Sequence, residues 1–460
     1  MTVAGARVAI VGLGTSGVAA AKLCRKLGAR EVCGFDERAE TAAARVHPLR
    51  QHGVALSFGP LPALSSFDLV VVSPGVPPRP ALDDAAAAGR EVIGEMELGS
   101  RFVEAPIALV GGTNGKSTVT AWLAEMLREA GRRPFVGGNF GTPLSAFAAD
   151  DDPSADVLVL EISSFQAERV PTLRARTHTL LNISEDHLDR YPSFSAYADA
   201  KGNPFVNMTS ADHAVIPAGD ATVARQAARG PAPAVTFGVD GGGDVRVEGS
   251  DIVATVPGRG PTVRFPVRTV GLAGRHNLSN ACAAVATAMV WGVEAAAIER
   301  ALGRFRGLPH RSSPVAAVDG VTFYDDSKAT NVGAAVAAVD GLEEARVVLI
   351  AGGRDKGGSY APLIEAMARR GRGLVLVGEA TAQIASAAAD RVLVRCATNL
   401  DEAVTEAAAM ARPGDAVLLS PACSSFDMFD DYRARGEAFV RAVRALDGAA
   451  GDAERGEVPR

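Results

Sequence analysis

Short apolar runs rich in Val, Ile and Leu alternate with longer Ala-rich stretches of helical periodicity along almost the whole chain. This alternation predicts βαβ units and parallel sheets, because a strand covered on both faces reads as an unbroken apolar run and its crossover helix supplies the longer stretch. Three blocks separate. The first predicts strands over 7–12 (RVAIVG), 31–35 (EVCGF) and 69–73 (LVVVS), then a helix over 94–103. Glu104-Ala105-Pro106 reads as a junction. The second block opens with IALVGG (107–112), runs through VLVLEIS (157–163) and THTLLNIS (177–184), and closes at GLPHRS (307–312). Between 233 and 270 its character changes to Gly/Pro punctuation with alternating Val and Arg, which predicts an antiparallel accessory sheet. The third block predicts strands over 321–325, 347–353, 373–378, 391–396 and 416–420. From about Asp447 the tail DGAAGDAERGEVPR is small and polar, a composition that predicts disorder. The expected fold class is therefore α/β, with domains over 1–103, 104–313 and 314–447 and a tail over 448–460.

Composition narrows the function classes. A chain of 460 residues accommodates about three domains. With 47 basic against 53 acidic residues and a net charge of −6, no polybasic surface for nucleic acid or anionic membrane is implied. Cys24, Cys33, Cys282, Cys396 and Cys423 form no CxxC pair or disulfide framework, and read as a reduced, cytosolic set. No apolar run reaches the roughly 18 residues of a membrane span. The start MTVAGARVAIVGLG reads as a strand, not a signal peptide. A soluble, cytoplasmic protein is expected.

Glycine-rich strand-to-helix turns carry the first chemistry. Gly12-Leu13-Gly14-Thr15-Ser16-Gly17 follows one strand and opens a helix, and Asp36 ends the next strand. Such a turn lets backbone approach a diphosphate at a helix N-terminus, with the acid on a nucleoside. On these residues alone, a ligand-free turn and an NAD site both stay open. Gly111-Gly112-Thr113-Asn114-Gly115-Lys116-Ser117-Thr118 occupies the same context and is more specific. Its backbone N–H groups suit phosphates, its Lys suits β/γ oxygens and its first hydroxyl suits Mg²⁺. It departs from GxxxxGK[ST], since Val110 stands five before Gly115. Glu161, ending VLVLE, is placed as an acid beside that loop, where it can bind Mg²⁺ directly or through water.

Further polar clusters lie at strand ends. Asn182 to Asp189 (NISEDHLD) collects amide, carboxylate and imidazole ligands around His187. His276-Asn277 opens an Ala-rich helix, for which a plain N-cap is the bland alternative, and Leu308-Pro309-His310-Arg311 closes the second block, alternatively as a linker. In the third block, DDSKATN (325–331), GGRDKG (352–357) and SPACSSF (420–426) all fall on the carboxyl edge of one parallel sheet, where open α/β folds bind ligands.

The ordered set GGTNGKST, LEISSFQ, NISEDHLDRY, HN..N, GLPHR, DDSKATN and SPACSSFD closely resembles the Mur ligases, and within them the branch that adds D-glutamate. The resemblance runs from about residue 7 to 445. It implies an N-terminal Rossmann-like domain for a UDP substrate, a central P-loop ATPase and a C-terminal Rossmann-like domain. The first Gly-rich turn then holds a uridine diphosphate sugar instead of NAD. Gly14, Thr15, Ser16, Gly17, Asp36, Arg38, Ser73 and Gly75 match UDP-substrate positions. Asn139 and His187 match positions touching the muramoyl part. Gly112 to Thr118 match the ATP loop, with Asn277, Arg311 and Asp326 implied to hold the ATP adenosine and phosphates from across the domain junction. Ser117, Glu161, His187 and Lys201 match a set serving two Mg²⁺ ions, Lys201 being the lysine that the family carbamylates. Lys328, Thr330, Lys356, Ser425, Phe426 and Tyr432 match the glutamate pocket.

Three local departures stand out: GNPFVN after Lys201, Glu37 after Asp36, and Tyr432 where the best-matching ligases carry Phe. A DNPR signature of the diaminopimelate-adding relatives is absent, which excludes that substrate. The resemblance implies ATP-dependent ligation of D-glutamate to UDP-N-acetylmuramoyl-L-alanine through an acyl phosphate, with Lys116, His187 and Lys201 catalytic, in a monomer. The alternatives are a related ligase using L-glutamate or another amino acid, a folate polyglutamating ligase, and a nucleotide sensor without catalysis.

Overall fold

The first sheet is built from β1 (Arg7–Val11), β2 (Glu31–Asp36), β3 (Ala55–Phe58), β4 (Leu69–Val72) and β5 (Glu91–Gly94). Its order is β3-β2-β1-β4-β5, all parallel. In β1, Val8 and Ile10 enter one core while Ala9 and Val11 enter another on the opposite face. This is why the strand reads as an unbroken apolar run. The chain winds outward from β1 to β3 and then reverses through β4, so β1 and β4 flank a topological switch point. The computed structural model describes residues 2–37, 46–272 and 274–453.

The second sheet has nine strands: β6 (Ile107–Gly111), β7 (Pro134–Gly138), β8 (Val157–Glu161), β9 (Thr177–Leu180), β10 (His213–Pro217), β11 (Ala234–Gly238), β12 (Val245–Glu248), β13 (Asp251–Ala254) and β14 (Val263–Pro266). Their order is β14-β13-β12-β11-β10-β9-β6-β8-β7. The expected antiparallel stretch is present as β12-β13-β14. It continues the parallel sheet, because β12 pairs in parallel with β11. The third sheet contains β15 (Ser313–Val318), β16 (Val321–Asp325), β17 (Val347–Gly352), β18 (Gly371–Leu376), β19 (Val394–Cys396) and β20 (Ala416–Ala422), in the order β15-β16-β20-β17-β18-β19. Only β15 runs antiparallel to its neighbour. Val347, Leu349 and Ala351 of β17 face one core, and Val348 and Ile350 face the other.

The chain divides into two compact units. The first, 1–183 with 195–269 and 279–304, contains the five- and nine-stranded sheets. The second, 184–194 with 270–278 and 305–460, contains the six-stranded sheet. Within the first unit the two sheets meet through the short helix Glu95–Ser100, which is narrower than the expected 94–103. Buried Glu95 accepts from Ser145 N at 2.7 Å, and buried Glu97 accepts from Thr172 N at 3.1 Å and Leu173 N at 2.8 Å. The last helix, Tyr432–Ala453, runs past Asp447, where composition suggested disorder. The remainder of that expected tail lies outside the described residues.

Candidate active site

At the end of β1 the chain turns through Gly12 at φ +85° into the helix Thr15–Lys26. A Cβ on Gly17 would lie 1.9 Å from Gly12 O, so only glycine lets the helix start this close to the strand. Ser73, just after β4, donates its Oγ–H to Gly12 O at 2.7 Å, and Leu13 N donates to Asp36 Oδ2 at 2.8 Å. Asp36 and Ser73 thereby brace the turn. Thr15 and Gly75 are exposed and Ser16 half-buried at the same edge. Gly14 makes no side-chain cap for the helix, whose first N–H groups suit an anion. Glu37, exposed, is paired to Arg79 at 2.7 Å. Arg38 lies outside the described residues.

The second Gly-rich turn lies between β6 and the helix Lys116–Glu129. Gly112 adopts φ +139° and Gly115 φ +85°, and a Cβ on Gly115 would meet Asn280 Oδ1 at 2.4 Å. Asn182, beyond β9, holds the loop by accepting from Asn114 N at 2.9 Å and donating to Asn114 O at 3.1 Å. The Thr113 hydroxyl meets Tyr197 OH at 3.0 Å. Two cations converge here. Lys116 Nζ donates to Gly112 O at 2.9 Å and Lys201 Nζ donates to the same oxygen at 2.7 Å. Lys201 is 4% exposed and lies over the Tyr197 ring. Ser117 Oγ donates to Glu161 Oε2, and Asn139 Nδ2 donates to Glu161 Oε1 at 2.6 Å. Buried Thr118 follows in the helix.

The sequence-predicted Lys116, Ser117, Asn139, Glu161 and Lys201 are thus gathered in the first unit. Ser117 and Glu161 offer hard oxygen donors of the kind that Mg²⁺ takes, alongside waters and phosphate. Among the described residues no group of three or more His, Cys, Asp or Glu side chains forms a cage for a metal. The helix Phe194–Val206 carries Lys201 and continues through Gly202-Asn203-Pro204, the stretch that departed from the family pattern. Asn182, Tyr197 and Asn280 escaped the sequence reading as loop supports. Asn182 and Asn280 lay in flagged clusters, whereas Tyr197 carried no signal of its own.

In the second unit, His187 adopts φ +56°. The adjacent Asp186 accepts from His187 N at 3.0 Å, Asn331 Nδ2 at 3.2 Å and Lys356 Nζ at 3.1 Å. Thr330 Oγ1 lies 3.5 Å from Lys356 Nζ. Lys328 Nζ sits 4.0 Å above the Tyr432 ring. Asp325 pairs with His310 Nδ1 at 2.6 Å, at a His310 held at φ +61°. Asp326 accepts from Ser420 Oγ at 2.8 Å and Ser312 N at 3.1 Å. Burial pushes the Asp326 carboxyl up to about 7, against the opposing effects of Ser420 and nearby Arg311. Ser425 is buried and Phe426 is 63% exposed. Arg435, invisible as a site residue in the sequence, is 4% exposed and ties Ser327 O and Cys423 O together at 2.8 and 3.2 Å. Burial lowers its guanidinium to about 10.

Known sequences and structures bear on this arrangement. The profile of the Mur ligase MurD-like N-terminal domain matches residues 6–94. Those of the Mur ligase middle domain and of the Mur ligase glutamate ligase domain match 110–288 and 310–423. The UDP-N-acetylmuramoylalanine--D-glutamate ligase of Geobacter metallireducens is 43% identical, over 97% of this chain and 99% of that protein. The protein of the same name from Myxococcus xanthus is 40% identical, over 97% and 100%. Among solved structures, MurF ligase from Thermotoga maritima in complex with ADP superposes with a TM-score of 0.62 at 14% identity, covering 98% of this chain and 100% of that one. UDP-N-acetylmuramate-alanine ligase MurC from Thermotoga maritima gives 0.59 at 20% identity, with 96% and 99% coverage. These structures share the fold, and the full-length relatives settle the lineage: the chain belongs to the Mur ligase family.

Proposed function

We propose that this enzyme joins D-glutamate to UDP-N-acetylmuramoyl-L-alanine at the expense of ATP, a cytoplasmic step of peptidoglycan synthesis. The observation that carries the reading is the convergence of Lys116 and Lys201 on Gly112 O beside the Ser117–Glu161 pair. Full-length relatives bearing the corresponding activity in their names support the choice of substrates.

A free carboxylate does not acylate an amine in water, so it must first be activated. The muramoyl-alanine carboxylate attacks the γ-phosphorus of ATP, giving an acyl phosphate and ADP. The ammonium of D-glutamate loses a proton, the free amine attacks the acyl carbon, and phosphate leaves as a second proton is lost from the nitrogen to form the amide. Lys116 swings from its own loop carbonyls to the γ-phosphoryl oxygens, where it neutralises developing charge. Mg²⁺, when bound, would supply further neutralisation, and Ser117, Glu161, His187 and a carbamylated Lys201 would be its protein ligands, serving two ions. A carbamate converts a buried ammonium into an anionic oxygen donor, which a lysine of ordinary pKa about 10.4 cannot be at neutral pH.

We assign Gly112 to Thr118 with Asn277, Arg311 and Asp326 to the nucleotide. Gly14 to Gly17, Asp36, Arg38, Ser73, Gly75 and Asn139 are assigned to the UDP substrate. Lys328, Thr330, Lys356, Ser425, Phe426 and Tyr432 form the glutamate pocket, with cations for two carboxylates. The enzyme works as a monomer of three domains, 1–103, 104–313 and 314–447. The test is phosphate release with every pairing of UDP-muramoyl-alanine, D-glutamate and L-glutamate. Release that requires both UDP-muramoyl-alanine and the D enantiomer is expected. Release with L-glutamate, or with neither substrate, overturns the reading.

A further inference from the structure

Asp186 stands outside the residues assigned above, yet its carboxylate gathers three donors. Only 9% of the residue is exposed. Its Oδ1 accepts from Lys356 Nζ at 3.1 Å and from His187 N at 3.0 Å, and its Oδ2 accepts from Asn331 Nδ2 at 3.2 Å. The His187 ring lies 3.6 Å from the same carboxylate. Asn331 is itself pinned, since it caps the helix Val332–Gly341 by accepting from Ala334 N at 2.8 Å. Asp186 is therefore held in place whether or not Lys356 is engaged.

An amino acid enters as a zwitterion. A site for one needs a cation for its carboxylate and an anion for its ammonium, set a few ångströms apart. In the empty site such a pair neutralises itself, which avoids leaving a buried unpaired charge. We propose that Asp186 is a specificity-determining residue that binds the ammonium of the incoming amino acid, while Lys356 turns from Asp186 to its carboxylate. One protein ion pair is exchanged for two pairs with the ligand. A dicarboxylate lacking the amine keeps the cation contacts of its carboxylates but must break the Asp186–Lys356 pair without giving Asp186 a new partner. This inference rests on the assignment of Lys356 to the glutamate pocket and adds the group that reads the amine.

The experiment compares KM for D-glutamate with the competitive Ki of glutarate, which has the same two carboxylates and no amine. In Asp186→Asn, KM for D-glutamate should rise at least about tenfold, as for loss of one partner of a buried charge pair. Glutarate should inhibit this variant as strongly as wild type, or more strongly, because Lys356 is released. Asp186→Glu keeps the charge and should hold KM closer to wild type, which separates loss of the contact from loss of fold. Both constants moving together in Asp186→Asn, or neither moving, overturns the proposal. Lys356→Met should weaken both ligands. An unchanged KM for D-glutamate in Lys356→Met overturns the pocket assignment itself, a result separate from the Asp186 outcome.

Discussion

Gly112 O accepts from two ammonium groups at 2.9 and 2.7 Å, an arrangement of like charges that favours transfer of either one to an anion. Under the proposed function Lys116 serves the transferring phosphoryl. Lys116→Ala should lower kcat by roughly 10²–10³, about 3–4 kcal/mol, with the melting temperature little changed, as steady-state kinetics and calorimetry would read together. Near wild-type turnover would remove this loop from the ATP site. Under the proposed function Lys201 carries the carbamate. Lys201→Ala should be nearly inactive and partly restored by millimolar formate or acetate, which supply the missing carboxylate oxygens. Lys201→Arg should remain inactive in both media. A ¹³C resonance appearing in wild type but not in Lys201→Ala after incubation with labelled bicarbonate would report the carbamate directly.

At the scale of elements, the first Gly-rich turn depends on a helix that begins unusually close to the preceding strand. An added Cβ on Gly17 meets Gly12 O at 1.9 Å and Ser73 Oγ at 2.8 Å. Gly17→Ala must push the helix Thr15–Lys26 off β1. Overpacking of that kind costs about 1–3 kcal/mol. Denaturant melting should show that loss, and KM for the UDP substrate should rise while KM for D-glutamate holds. Equal effects on both constants would argue against a UDP role for the turn. The helix Phe194–Val206 makes the opposite point, because it tolerates Pro204 inside it. Gly202 allows the close approach there: a Cβ would strike Gln226 Oε1 at 2.2 Å. Phe205 is fully buried one turn after Lys201, and its ring packs at a tilt against His178 with centroids 4.4 Å apart. Packing of this face holds Lys201 in place against local propensity.

For the whole molecule, two buried groups of the first unit give stability opposite dependences on pH. Burial lowers His178 to about 4, so its unfolded form takes up a proton first as pH falls from the ordinary value near 6.5. Its contribution is full above that value and is lost as pH falls to about 4. Burial raises Glu95 to about 7, so its folded form holds a proton that the unfolded form has released. That contribution is full below about 4.5 and is lost as pH rises through about 7. Between these limits the two slopes cancel. Stability of His178→Leu should therefore fall with rising pH relative to wild type across pH 4.5–6.5, and that of Glu95→Gln should rise, each by about 1–3 kcal/mol in total. Urea titrations at several pH values would measure both, and parallel curves for all three proteins would refute the linkage.

Much of this was legible in the chain. Unbroken apolar runs marked β1, β6, β8, β17 and β20, because strands covered on both faces must be apolar at every position. Gly112 and Gly115 marked the turn between β6 and the helix Lys116–Glu129, where both take positive φ, and Lys116 and Ser117 made that turn the candidate phosphate loop. The short or exposed strands β3, β5, β7 and β15 did not announce themselves. ALSF, EVIG, PFVGG and SPVAAV are strands only because neighbours supply their hydrogen bonds. The same holds for the joining of β12 to β11, which turned an expected accessory sheet into the end of a larger one. At the sites, sequence named the charged groups but not their partners. That Lys201 meets Gly112, that Asn182 holds the loop, that Asp186 pairs with Lys356 and that Arg435 is buried against Ser327 are contacts between residues 68 to 170 positions apart. Residue type and local spacing determine which groups can bind phosphate, metal or carboxylate. Only the tertiary structure decides which of them meet, because their separation along the chain says nothing about their distance in space.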